Sequence, residues 1–155
     1  MISVSNDRLL ELIEQSRTST RRRAAYSPHS QDYQGMQLLV NAIQPDSYIP
    51  PHKHPSQEIW IPLKGRINFV IFDENGKLMD VQVLNERNAI FLECPENTYH
   101  TGIAAEPDSI FGNLNPGPYS PLDKIPAIWA PSESNSDFPK YLERLKDEID
   151  LFLRR

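Results

Sequence analysis

Three of the four histidines in this chain stand in two short stretches with a strand-like pattern. PPHKHPSQEIW holds His52, His54 and Glu58, and CPENTYHTG holds His100. An extended strand sends alternate side chains to one side, so His52 and His54 face together while Lys53 faces away. Glu58, four residues after His54, adds a carboxylate from the start of the next strand. Imidazole nitrogens with a carboxylate oxygen suit one divalent transition metal ion, among Fe, Mn, Ni, Co, Cu and Zn, better than Ca or Mg. His100 follows a turn made by Pro95 and Asn97, asparagine being a tolerable substitute for glycine in a left-handed conformation. Across a small barrel it can face the other three. A metal held by His52, His54, Glu58 and His100 would leave a coordination position open, as catalytic rather than structural sites do. Glu58 has an alternative role, orienting a histidine or moving a proton.

Other residues offer chemistry with a plainer reading beside it. His29, near Tyr26, is either a hydrogen-bonded structural residue or a pocket acid or base, and with Glu58 it is a candidate catalytic group. Arg17, Arg21, Arg22 and Arg23 form the one basic cluster in an acidic chain. They are solvated charges, or Arg21 and Arg23 clamp the phosphate or carboxylate of a substrate. Tyr99 is a further candidate substrate contact, although Tyr99, Trp60 and Phe69 also read as strand aromatics of a core. Cys94 is a buried filler or a thiol facing the pocket. Tyr119 and Trp129 are lid or loop-packing residues.

Positioning such a site requires strands, and the chain has them. Between residues 36 and 114 run MQLLVNAI, EIWIPLKG, RINFVIFD, LMDVQVL, NAIFLE, TGIAA and SIFGNL, separated by turn-forming residues. Many short strands at this spacing make a sandwich or barrel, here an all-β fold over about residues 21–115. Asn75 and Gly76 suit the positive φ angles of a tight hairpin turn. A helix is expected over about residues 5–16, capped by Ser5 or Asn6. A second is expected over about 137–153, with Phe138, Leu142, Leu145, Ile149 and Phe152 on one face. The proline-rich stretch 113–131 reads as ordered loop. If the apolar stripe of the second helix is not covered by its own barrel, a homodimer would cover it.

The 155 residues allow one domain, with 39% hydrophobic and 24% charged residues in the ordinary globular range. A formal charge of −5 argues against nucleic acid as a partner, and the absence of a long apolar stretch argues against a membrane. With Cys94 alone there is no intrachain disulfide, which fits a reducing, cytoplasmic setting. The expected partner is a small-molecule ligand.

The run His52, His54, Glu58, Gly65 resembles the first cupin motif, and Pro95, Asn97, His100 resembles the second. Asp46, Asn97 and Ala104 depart from the usual Gly, Gly and Asn of those motifs, and none of these departures removes a metal ligand. RRRAAYSPH, LLVNAIQPDSYIPPHKHP, YHTGIAAEPDSIFGNLNPGPYSP and IWAP together are similar to the WbuC-like cupin fold metalloproteins of bacteria. The resemblance implies a double-stranded β-helix, or jelly roll, with flanking N-terminal and C-terminal helices and a bound metal. It also implies a setting in surface-polysaccharide metabolism, but no substrate or reaction. The first reading of the site is a metalloenzyme, isomerase- or epimerase-like, acting on a small polar metabolite such as a sugar or sugar nucleotide. An Fe(II)-dependent dioxygenase and a non-catalytic ligand-binding or sensing module use the same residues.

Overall fold

The computed structural model describes all 155 residues. Its strands are β1 (Arg23–Tyr26), β2 (Met36–Ile43), β3 (His52–Lys53), β4 (Glu58–Lys64), β5 (Ile67–Phe72), β6 (Leu78–Leu84), β7 (Leu92–Cys94), β8 (Tyr99–Ala104), β9 (Ser109–Pro116) and β10 (Ile125–Pro126). They form two five-stranded sheets, ordered β1-β2-β9-β4-β7 and β10-β3-β8-β5-β6, called here the glutamate sheet and the histidine sheet. Every pairing within them is antiparallel. Helices α1 (Asn6–Thr18) and α2 (Phe138–Leu153) flank the sheets. This is the expected all-β jelly roll with a helix at each end of the chain.

Strand alternation sorts the side chains into three layers. Ile43, Trp60 and Phe111 of the glutamate sheet meet Ile67, Phe69, Leu84 and Ala104 of the histidine sheet in a buried cluster between the two. The other face of the glutamate sheet presents Val40, Ala42 and Ile110, and Leu12 and Ile13 of α1 cover them. Ser5 caps that helix, its side chain accepting a hydrogen bond from the Arg8 N–H, with Asp7 in the first turn where the helix dipole favours negative charge.

The outer face of the histidine sheet presents Val70, Val81 and Ile103, and Leu142, Leu145 and Ile149 of α2 cover these, with Phe138 and Phe152 packed at the margins. The apolar stripe that would have called for a second chain is therefore satisfied within this one. Burying these three α2 side chains contributes roughly 1.5–3 kcal/mol each.

Local differences from the expected elements have simple causes. The β5–β6 connection spans Asp73–Lys77, and Gly76 alone takes a positive φ, +85°. Asp73 organises the turn, its carboxylate accepting hydrogen bonds from the N–H groups of Asn75 and Lys77. A side chain at Gly76 would also strike Trp129, 2.6 Å from the ideal Cβ position. The NAIFLE run yields only Leu92–Cys94 as strand, because Ala89 bridges to Leu84, and Ile90 and Phe91 are left exposed. Within the proline-rich stretch, Ile125 and Pro126 pair with Lys53 and His52, so this segment adds an edge strand beside the histidine pair.

Candidate metal centre

Both histidine-bearing segments lie in the histidine sheet, where His52 of β3 is the register partner of His100 of β8. His54 follows on the same side, and the Asn97 N–H donates to the His54 carbonyl oxygen at 2.7 Å, tying the second turn to the first. Asn97 has φ +56°, the left-handed conformation expected of it. The candidate ligand atoms of His52, His54 and His100 lie within 4.8 Å of one another. Glu58 comes from the facing sheet. Its Oε1 is 2.6 Å from His100 Nε2 and its Oε2 is 4.0 Å from His54 Nε2. His52, Glu58 and His100 are almost completely buried, whereas the His54 side chain is 21% exposed, so the set opens toward solvent beside His54.

The hydrogen bonds on these rings select the nitrogen left free. Nδ1 of His52 lies 2.8 Å from the Pro50 carbonyl oxygen, and Nδ1 of His100 lies 2.9 Å from that of Thr98. A carbonyl only accepts, so each Nδ1 carries the proton and each Nε2 presents a lone pair, the tautomer used by metal-ligating histidines. Glu58 is held from behind: the Trp60 indole N–H donates to Oε1 at 2.8 Å and the Asn113 amide donates to Oε2 at 3.2 Å. Asn41 in turn donates to Asn113 Oδ1 at 3.2 Å.

Although His100 Nε2 is only 2.6 Å from Glu58, it has no hydrogen-bond partner of acceptable direction. Two buried lone pairs at that separation repel unless a positive charge stands by them, either a proton or a metal ion. In the metal-free chain the proton serves. Burial works against a charged His100, but Cys94 and Glu58 outweigh it and raise its pKa to about 10. Burial would likewise raise the pKa of Glu58, yet His100 and Trp60 bring it down to about 2. His52 and His54 go the other way, pushed below the usual histidine range chiefly by burial. They are neutral at pH 7 and have no proton to surrender to a metal. The donor set thus fits a divalent transition ion: neutral imidazole nitrogens on His52 and His54, one carboxylate, and a buried His100–Glu58 pair whose proton a metal ion would replace.

The remaining sequence candidates are placed elsewhere. Tyr99 precedes His100 on β8 and so faces the opposite side, in the α2 cluster with Lys53 Nζ 4.3 Å above its ring centre. The reading of Tyr99 as a substrate contact is corrected by that alternation. His29 stacks on Tyr33, its Nδ1 accepting from the Leu38 N–H, and it makes no contact with the histidine–glutamate set. The structure therefore supports its structural reading over a proton-transfer role.

The arginines do not act as one cluster: Arg17 pairs with Asp108, Arg22 with Asp46, and Arg21 and Arg23 share Glu133. Cys94 is buried with Sγ 3.5 Å from His100 Nδ1, behind the ring and away from its free nitrogen. Trp129 packs on Phe72 and Tyr99, and Tyr119 is exposed.

Trp60 and Asn113 are functional neighbours that reading by segment obscures. Trp60 reads as core and Asn113 as the start of a loop. The signal was period-2 alternation, which puts Glu58 with Trp60 and Phe111 with Asn113 on the inner face.

Among solved structures the chain is similar to an oxalate oxidase in complex with the substrate analogue glycolate, at 19% identity and TM-score 0.50, over 64% of this chain and 55% of that one. It is similar to an oxalate decarboxylase of Bacillus subtilis at 16% identity and TM-score 0.53, over 66% of this chain and 27% of that one. It is also similar to a protein of Shewanella oneidensis at 11% identity and TM-score 0.63, over 93% and 96% of the two chains. The chain thus spans about half the length of the oxalate oxidase and about a quarter of the decarboxylase. These likenesses support the cupin fold. No curated protein sequence matches the chain. No helix is long and apolar enough to cross a membrane. Residues 4–84, more than half of the chain, match the family described as a domain of unknown function, DUF6016, and the chain belongs to that family.

Proposed function

We propose that this chain is a metal-binding cupin in which His52, His54, Glu58 and His100 hold one divalent transition metal ion and present it to a small polar ligand. The observation that carries this reading is convergence: the ligand atoms of His52, His54 and His100 lie within 4.8 Å of one another, with Glu58 Oε1 buried 2.6 Å from His100 Nε2. When bound, the ion would polarise a carbonyl or hydroxyl oxygen.

The protein's own part is orientation and proton control. The Pro50 and Thr98 carbonyls fix the two buried rings, while Trp60 and Asn113 hold Glu58 ionised. Opening beside His54 admits a ligand at one edge only. Glu58 is the candidate proton acceptor, because it is the carboxylate of the set and loses its partner proton when His100 becomes a metal ligand.

The substrate class we favour is a sugar or sugar nucleotide of bacterial surface-polysaccharide metabolism, in a cytoplasmic setting. It rests on the likeness to the WbuC-like proteins. An Fe(II)-dependent dioxygenase and a non-catalytic ligand sensor share the same ligand set. A homodimer no longer draws support from the α2 stripe.

Elemental analysis of the purified protein tests the central claim, with about one transition metal ion per chain expected. Chain that stays metal-free after incubation with Fe, Mn, Co, Ni, Cu and Zn salts would overturn it. Oxygen uptake by the iron form would then favour the dioxygenase reading over the sugar-nucleotide one.

A further inference from the structure

We propose that Lys124 is the ligand-reading residue of this site and that the ligand it reads is a small organic anion carrying a carboxylate or a phosphate. This rests on the metal reading above and deepens it.

Ile125 and Pro126 of β10 pair antiparallel with Lys53 and His52, and one step further along the same register Lys124 falls opposite His54. His54 is the ligand at the open edge of the set. A short 3-10 turn, Pro121–Asp123, delivers the lysine there, with Ser120 capping the turn through the Leu122 N–H. Lys124 therefore stands where a ligand must enter.

Its surroundings are those of a cation awaiting a partner. Lys124 makes no ion pair, whereas Arg17, Arg21, Arg22 and Arg23 are each engaged by a carboxylate. The adjacent Asp123 is exposed and makes no ion pair with it. The charge of Lys124 acts on both His52 and His54, and Arg23, Glu133, Arg21 and Glu58 act on Lys124, which places the lysine within electrostatic reach of the histidine set.

With a divalent ion in place, the open edge would hold the ion and Lys124 against Glu58 and the exposed Asp123, while Arg21 and Arg23 remain engaged by Glu133. A dication and a lysine side by side at the open edge favour an anion over a neutral sugar. No side-chain carboxylate pairs with Lys124, which leaves its ammonium available to an incoming anion.

The test is calorimetric titration of glycolate, inorganic phosphate and, as a neutral control, ethylene glycol into full-length metal-loaded wild type, Lys124→Met and Lys124→Arg. Metal content is measured in each. The expected result is binding of at least one anion, weakened about tenfold or more in Lys124→Met and largely restored in Lys124→Arg. Which anion responds separates a carboxylate ligand from a phosphate one. Equal anion affinity in wild type and Lys124→Met overturns the inference, as does failure of the metal-loaded wild type to bind either anion. Anion binding that depends on Lys124 in protein that takes up no metal would leave the lysine's role standing and the metal reading refuted.

Discussion

The space between the two sheets contains two environments supplied by the same strands. On β4, Glu58 reaches the polar end and Trp60 lies between the two environments. On β8, His100 reaches the polar end, and Gly102 leaves room for the Trp60 ring, which would sit 2.7 Å from an added Cβ. Ile43, Ile67, Phe69, Leu84 and Phe111 fill the apolar end.

That end is self-sufficient, because Trp60 stacks on Phe111 at 4.1 Å and meets Phe69 edge-on at 5.0 Å, as aromatic quadrupoles prefer. The polar end is not self-sufficient. Its donors satisfy one another only around a positive charge. The difference teaches that burial alone does not decide which region binds a ligand: apolar groups close on themselves, whereas converging lone pairs require a cation.

The sharpest way to break this comparison is to cut each end separately. His52→Ala with His54→Ala should take bound metal from about one ion per chain to none by elemental analysis, with an unchanged far-ultraviolet circular dichroism spectrum. Leu84→Ala, which removes a fully buried side chain of the apolar cluster, should do the reverse, costing about 2–5 kcal/mol in urea unfolding while the folded protein still binds metal. A double histidine variant that kept its metal would end the assignment of those residues.

Trp60 joins the two ends, and Trp60→Phe should separate them. The ring face against Phe111 survives and the N–H to Glu58 does not, so metal affinity should fall about tenfold, the lower range for loss of a partner behind a ligand. The accompanying stability change should be far smaller than for Leu84→Ala. Competition with a chromophoric chelator measures the first and urea unfolding the second.

The smallest effect expected is on pH dependence. A folded-state pKa raised to about 10 for His100 means that its protonated form stabilises the metal-free chain fully below the unfolded histidine value of about 6.5. That contribution is lost as pH rises through about 10. His52 and His54, with lowered values, oppose folding of the metal-free chain only as pH drops below about 6.5. Metal takes the place of the His100 proton, so the gap in melting temperature between metal-loaded and metal-free protein should widen from pH 6.5 to pH 9. Titration in buffers of different ionisation enthalpy should show about one proton released per metal bound near pH 7.5. A constant gap and no proton release would mean that His100 is not a ligand.

Much of the site was legible in advance because it depends on local rules. The spacing of His52 and His54 is strand alternation, Asn97 tolerates a left-handed turn, and the stripe from Phe138 to Phe152 is helical periodicity. The same rule, applied one residue at a time, would have excluded Tyr99 and included Trp60 and Asn113. Arg21 and Arg23 were misleading for another reason: their partner Glu133 lies 112 and 110 positions away, and nothing in a run of basic residues reveals a distant carboxylate.

From the amino-acid sequence alone follow the strands, the two amphipathic helices, and the residue types that can hold a metal, since each is set by near neighbours in the chain. Only the tertiary structure decided which groups share the site. It brought Glu58 across from the opposite sheet to His100, set Asn113 behind that carboxylate, turned both helix stripes onto their own sheets, and paired Ile125 and Pro126 of β10 with Lys53 and His52 of β3. Those contacts depend on packing between segments remote in sequence, where loop closure and the fit of buried side chains determine the partners.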